Sequence, residues 1–178
     1  ESIQTGIDRA AEIVRSLNIY SRANDLPGSE CNIHSIIDNC LVMLKNEIKY
    51  IIEVKKEYCT DPITVFGNEG RLHQVFLNIL TNAIHAISDV GVIRITTLIT
   101  GPDCIVKISD NGCGISNENI SKLTDPFFTT KEPGKGTGLG LSITSKIVKN
   151  YKGTITFDSK EGEGTTVTIT LPLIDHRN

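Results

Sequence analysis

Four glycines at alternate positions, Gly134, Gly136, Gly138 and Gly140, run directly into Leu139, Leu141 and Ile143, the first apolar residues of a helical pattern. No polar buffer separates them, so the segment is a loop turning into a helix rather than a spacer. The first turn of a helix carries backbone N–H groups without intrahelical partners, and glycine removes the Cβ that would keep an anion away from them. Lys131 and Lys135 bring cations to the same stretch, although either alone reads as a solvated charge. Phe127 and Phe128 give it an apolar anchor, which suits a loop that closes over a ligand.

Two segments upstream fit the same chemistry. Asp110-Asn111-Gly112-Cys113-Gly114 is, taken alone, an ordinary turn former. Its functional reading is a carboxylate accepting from the exocyclic amine of a purine, with Gly112 and Gly114 letting the base approach the backbone. Asn78 and Asn82 lie four residues apart, hence on one face of a helix, and His85 follows three residues later. Leu72, Val75, Phe76, Ile79, Leu80 and Ile87 already fill the apolar stripe of that helix, so amides beside it need partners. An Asn carbonyl is a hard oxygen donor suited to Mg²⁺, which takes few protein ligands and completes its shell with phosphates and water. Two amides bonded to a neighbouring loop remain the competing reading. The glycine-rich element lacks Gly-x-x-x-x-Gly-Lys-Ser/Thr, and no Gly-x-Gly-x-x-Gly follows a first strand.

The order of elements constrains the fold. A strand at Cys31–Ile33 and a helix over Ser35–Glu47 precede strands at Ile51–Tyr58 and Ile63–Phe66, and a long helix over Glu69–Ser88 follows. Alternating runs at Val92–Thr100 and Cys104–Ser109 flank a Gly101-Pro102-Asp103 turn. A short helix near Asn117–Leu123, the loop to Thr137, a helix over Gly138–Tyr151 and strands at Gly153–Ser159 and Thr165–Leu171 complete the pattern, the last two joined by Gly162-Glu163-Gly164. Hairpins mixed with helices, rather than strict alternation, predict an α/β two-layer sandwich: one mixed sheet covered on one face by helices.

Ahead of this region Ile3, Ile7, Ala10, Val14 and Leu17 step by four and three, the seam of a coiled-coil-like helix too short to stand alone. The expected division is residues 1–23 for that helix, 24–30 for a linker, 31–174 for the main domain and 175–178 for a tail. The 178 residues carry a formal charge of −3, which gives no basic footprint for nucleic acid. Five scattered cysteines without a Cys-x-x-Cys pair fit reduced thiols and a cytoplasmic setting. No apolar run approaches the roughly 20 residues that span a bilayer. A start at Glu1 is expected of a piece of a longer protein, and a membrane anchor elsewhere in that parent is left open.

These blocks, in this order, resemble the catalytic ATP-binding domain of sensor histidine kinases, within the superfamily shared with DNA gyrase B, the Hsp90 chaperones and the MutL ATPases (the Bergerat fold). Gln74–Ala83 looks like the N box, Asp110–Gly114 the first glycine box, Phe127–Lys131 the F box, Gly134–Leu141 the second glycine box and ATP lid, and Gly162–Thr165 the third. Residues 7–22 are similar to the second helix of the dimerisation and phosphoacceptor domain. The resemblance implies ATP and Mg²⁺ as cofactors, with Asp110 on the adenine amine, Thr165 supporting through water, Asn82 on the metal and Asn78 positioning it. It implies phosphate contacts from Gly136, Thr137, Gly138, Leu139, Gly140 and Leu141, with Lys131 and His85 as lesser candidates. Gly112 and Gly114 would frame the base.

It further implies transfer of the ATP γ-phosphoryl to a histidine, for relay to a response-regulator aspartate. The implied partners are a dimerisation domain of the same or a partner subunit, a receiver domain, and a homodimeric parent. The hydrolysing relatives carry a Glu base where this chain has Asn78, which cannot take a proton and so favours transfer over hydrolysis. Many members carry Lys where His85 stands, which puts its phosphate role in doubt. None of His34, His73, His85 or His176 lies on the seam helix with a following acid, so the acceptor is expected outside this chain. A conformational ATPase, marked by multi-turnover hydrolysis, and a pseudokinase, marked by binding without transfer, are the alternatives.

Overall fold

The computed structural model describes residues 28–48, 50–131 and 136–174. The seam helix, the linker as far as residue 27, Gly134, Lys135 and the tail from residue 175 lie outside the described residues. Strand β1 (Ser29–Asn32) leads into helix α1 (Ile33–Met43), a four-residue turn of helix α2 (Lys45–Ile48), and strands β2 (Ile52–Glu57) and β3 (Thr64–Gly67). The long helix α3 (Glu69–Ala86) is followed by the hairpin β4 (Gly91–Thr100) and β5 (Asp103–Asp110). A short α4 (Asn117–Ile120), then α5 (Gly140–Asn150), β6 (Thr154–Lys160) and β7 (Gly164–Pro172) complete the chain.

Five strands form a mixed sheet in the order β2-β4-β5-β7-β6, with β2 parallel to β4 and every other pair antiparallel. The parallel pair requires a long crossover, and α3 lies within it. Along β4 the residues Ile93, Ile95 and Thr97 are buried, as are Cys104, Val106 and Ile108 on β5 and Val167, Ile169 and Leu171 on β7. The positions between them are partly buried or, at Arg94 and Lys107, exposed. One face therefore meets α1, α3 and α5, and their apolar stripes, with Ile33, Phe76 and Leu80 fully buried, fill the layer between.

The structure departs from the expected bounds at several elements. The helix expected over Gly138–Tyr151 is Gly140–Asn150, and the one near Asn117–Leu123 is Asn117–Ile120. The larger differences lie near the first helix. The predicted Cys31–Ile33 strand is Ser29–Asn32, so its first two residues fall within the expected linker, and it pairs with β3 in a separate two-stranded sheet. The Ser35–Glu47 helix starts earlier, at Ile33, because the Asn32 side chain accepts from Ser35 N–H and caps it. It breaks at Leu44, whose side chain stays buried while the chain re-enters a helical turn as α2. Asn68 caps α3 in the same manner, accepting from Arg71 N–H at 3.1 Å. Among the described residues no helix is long and apolar enough to cross a membrane.

Candidate functional site

Asp110 ends β5 directly opposite Thr165, the second residue of β7. Its carboxylate accepts from Gly112 N–H at 2.9 Å, and burial raises its pKa while amides of Gly112 and Thr165 pull it back down. A half-buried acceptor with unspent capacity is what an amine-bearing base requires. Thr165 is buried and exchanges a 2.8 Å hydrogen bond with the Ser159 hydroxyl, which also accepts from Ile115 N–H. Ser159 thus ties the Asp110 turn to the β6–β7 hairpin. The pattern gave no reason to single it out, since only the strand register brings it across from Thr165.

The glycines of that turn are also required by the protein's own packing. A Cβ on Gly112 would lie 2.5 Å from the Ala86 carbonyl at the end of α3, and one on Gly114 would overlap the Lys160 carbonyl. Protein backbone fills both spaces: Cys113 N–H donates to Ala86 O and Gly162 N–H to Cys113 O. Their smallness clamps the turn between α3 and the hairpin, and so fixes the Asp110 carboxylate by packing.

Asn78 and Asn82 are half-buried on one side of α3. The Asn78 amide donates to Gly140 O at 2.9 Å and to Thr144 Oγ1 at 3.2 Å. A carbonyl only accepts, so this pair fixes which end of the amide faces α5. Asn78 therefore joins the long helix to the start of α5, and Thr144, fully buried, is a second partner the sequence did not flag. Asn82 Oδ1 accepts from Lys131 Nζ at 3.4 Å, and the same ammonium sits 2.9 Å from His85 Nδ1. His85 Nε2 faces the Glu47 carboxylate of α2 at 4.0 Å. Burial and the neighbouring Lys131 cation both lower the His85 pKa, with Glu47 opposing them.

The segment after the F box is anchored through its backbone. Phe127 is 70% exposed, so its ring anchors nothing by burial. Instead Phe127, with φ of 68°, donates its N–H to Gly138 O at 3.0 Å. Gly138, with φ of 67°, presses against the Phe127 carbonyl carbon where a Cβ would otherwise sit. Helix α5 then starts at Gly140 with Leu139 as its cap residue, which supplies no side-chain acceptor. Helices α1 and α3 both have Asn caps; among the described residues the cap position of α5 supplies no side-chain acceptor, an arrangement that suits an anion at its first amides. Gly136, Thr137, Leu139 and Leu141 are all partly exposed along this stretch.

The structure thus brings Asn78, Asn82, His85, Lys131 and the Gly138–Gly140 turn into one connected group. Asp110, Gly112, Gly114 and Thr165 form a second, joined to α3 through Ala86. Among the described residues no three His, Cys, Asp or Glu side chains gather to hold an ion. A metal at Asn82 would have one neutral oxygen from the protein and take the rest from phosphate and water, a donor set that fits Mg²⁺.

A model of the family described as histidine kinase-, DNA gyrase B- and HSP90-like ATPase matches residues 67–175. The chain is similar to the sensor histidine kinase ZraS of Escherichia coli (strain K12), 43% identical over 168 residues that cover 93% of this chain and 36% of that protein. It is also similar to sporulation kinase C of Bacillus subtilis (strain 168), 37% identical over 169 residues, 94% of this chain and 39% of that one. The chain spans 26%, 20% and 39% of three of the curated relatives it matches. Among solved structures, histidine kinase ThkA in complex with response regulator protein TrrA matches with a TM-score of 0.79 and 27% identity, over 99% of this chain and 51% of that one. The nucleotide-free catalytic domain of ThkA matches with a TM-score of 0.75 and 31% identity, over 83% and 97%.

Proposed function

The chain belongs to the family of histidine kinase-, DNA gyrase B- and HSP90-like ATPases, and we propose that it is the ATP-binding catalytic portion of a two-component sensor histidine kinase. The observation that carries this reading is the joining of α3 to the glycine-rich turn. Asn78 holds Gly140 at 2.9 Å, and beside it α5 starts without a capping side chain. ATP would lie along that junction, its adenine amine on Asp110 and its phosphates on the amides of Gly136–Leu141, with Lys131 at the γ end.

Mg²⁺, held by Asn82, would neutralise charge on the phosphate oxygens. Phosphoryl transfer asks mainly for positioning and electrostatic stabilisation. A histidine on a dimerisation domain outside residues 31–174 attacks the γ-phosphorus through an imidazole nitrogen. The bond to the β–γ bridging oxygen breaks, ADP leaves with that electron pair, and phosphohistidine passes the group to a receiver-domain aspartate. Asn78, bonded through its NH₂ to Gly140 and Thr144 and unable to accept a proton, activates no water, which favours imidazole over hydrolysis. The relatives are named sensor and sporulation kinases, and one neighbour is solved with its response regulator, which supports the relay. The parent is read as a cytoplasmic-facing homodimer.

The test is incubation of this chain with Mg²⁺, γ-labelled ATP and a separately supplied histidine-bearing dimerisation domain. Acid-labile, base-stable label on that domain is expected. Absence of label, with ATP steadily hydrolysed instead, would place the chain with the conformational ATPases.

A further inference from the structure

Lys131 meets two side chains of α3, and the nearer one, His85, leads outside every sequence motif. A lysine ammonium has three donors and no acceptor, so the 2.9 Å approach of Nζ to His85 Nδ1 requires a lone pair on that nitrogen. The ring proton is therefore on Nε2, the nitrogen that faces the Glu47 carboxylate at 4.0 Å. That distance exceeds a direct hydrogen bond, so Glu47 acts on the tautomer through its field or a bridging water. Glu47 belongs to α2, a four-residue turn of helix next to the Leu44 break, and has no place in the nucleotide boxes.

The same ammonium also rests 3.4 Å from Asn82 Oδ1, the oxygen read here as the metal ligand. A divalent cation on that oxygen repels Lys131 from it. His85, 2.9 Å away, still holds the lysine at the phosphate end, and it accepts from the ammonium only with Nδ1 deprotonated.

We propose that Glu47 and His85 are positioning residues that fix Lys131 as the reader of the γ-phosphate, so that this trio sets the preference for ATP over ADP. This deepens the reading given under Proposed function and rests on it. His85 makes no phosphate contact of its own in this account. Glu47 fixes the imidazole tautomer, the imidazole holds the ammonium, and the ammonium meets charge that ADP lacks.

The experiment measures dissociation constants of Mg-ATP and Mg-ADP by calorimetry for the wild-type chain, Glu47→Gln, His85→Ala and Lys131→Ala, and for the first two combined with the third. Glu47→Gln is expected to reduce the ATP-over-ADP preference about three- to fivefold, the scale of a half-exposed charge contact. His85→Ala reduces it by up to about tenfold, the loss of a charge-assisted hydrogen bond. Neither changes Mg-ADP affinity, and neither has a further effect once Lys131 is Ala. Equal weakening of both nucleotides, or effects that persist in the Lys131→Ala background, overturn the proposal.

A nucleotide-free readout is the ¹⁵N shift pair of the His85 imidazole. Protonated Nε2 with a bare Nδ1 is expected in the wild-type chain, and mixed tautomers in Glu47→Gln. Mixed tautomers already in the wild-type chain overturn the geometry. A wild-type chain that binds neither nucleotide overturns the site reading and this proposal with it. One that prefers ATP with Glu47 indifferent overturns this proposal alone.

Discussion

The side-chain amide of Asn78, on the third turn of α3, donates to the carbonyl of Gly140, the first residue of α5, at 2.9 Å. One residue therefore joins α3 to α5, and in the proposed mechanism the same amide, unable to take a proton, leaves water without a base. Asn78→Asp is expected to lose both donated bonds and set a carboxylate against the Gly140 carbonyl. Each bond is worth about 1 kcal/mol, and the repulsion adds to that loss. Transfer to a supplied histidine should fall at least tenfold, and hydrolysis per bound ATP should rise. Amide hydrogen exchange at Gly140–Thr144 should quicken. Unchanged exchange there would contradict the anchoring role.

Gly138 and Gly140 should respond oppositely to alanine. At Gly138 the backbone has φ of 67° and a Cβ would overlap the Phe127 carbonyl carbon, so Gly138→Ala is expected to lower thermal stability by about 1–2 kcal/mol or more. At Gly140 the nearest atoms to a Cβ are those of Asn78, 3.5–3.8 Å away, an ordinary contact. Gly140→Ala should leave stability unchanged or raise it by up to about 1 kcal/mol, since alanine favours a helix. Its ATP affinity should nevertheless fall, as the added methyl crowds the phosphate amides. Parallel thermal melts and ATP titrations of the two variants decide this.

Burial raises the Asp110 carboxyl above the ordinary Asp value. An acid whose folded pKa is raised holds its proton more tightly in the folded state. Stability then falls as pH rises through the interval between the unfolded and folded values, and recovers as pH drops through it. At neutral pH the carboxylate is therefore a cost to the nucleotide-free domain. Asp110→Asn, which keeps an oxygen for the Gly112 amide, is expected to melt higher than the wild-type chain at pH 7, by about 2–4 °C for each kcal/mol relieved. The difference should shrink as the pH approaches 4. A variant no more stable at pH 7, or a gap that widens in acid, would contradict this assignment.

The helix that carries both asparagines depends on its cap and core. Asn68→Ala removes the acceptor for Arg71 N–H and is expected to cost about 1 kcal/mol. Phe76→Ala empties a fully buried position and is expected to cost about 3–5 kcal/mol. Chemical denaturation should rank them in that order; the reverse would mean that packing of α3 on the sheet is not what holds the site's main support.

Much of this architecture is legible in the sequence because its signals are local. The spacing of Asn78 and Asn82 places them on one face of α3, the apolar stripe from Leu72 to Ile87 predicts what that helix buries, and alternation marks the β4–β5 hairpin. What escapes is set by pairing across long separations. The β1–β3 sheet joins segments whose own patterns do not specify a partner, and the α1–α2 break at Leu44 follows from tertiary burial. Ser159 becomes visible only through strand register, and Glu47 only because its carboxylate comes within 4.0 Å of His85 near the end of α3. Gly112 and Gly114 are legible as necessary glycines, while the crowding backbone of Ala86 and Lys160 that also demands them is visible only in the fold.

The most direct measurement is a calorimetric titration of Mg-ATP into the wild-type chain and into Asp110→Ala. Saturable heat is expected from the wild-type chain, with affinity about 10- to 150-fold weaker in the variant, the range for a hydrogen bond to a charged group. No heat with the wild-type chain, or equal affinity in the two proteins, would contradict the central claim that this carboxylate holds the adenine of ATP.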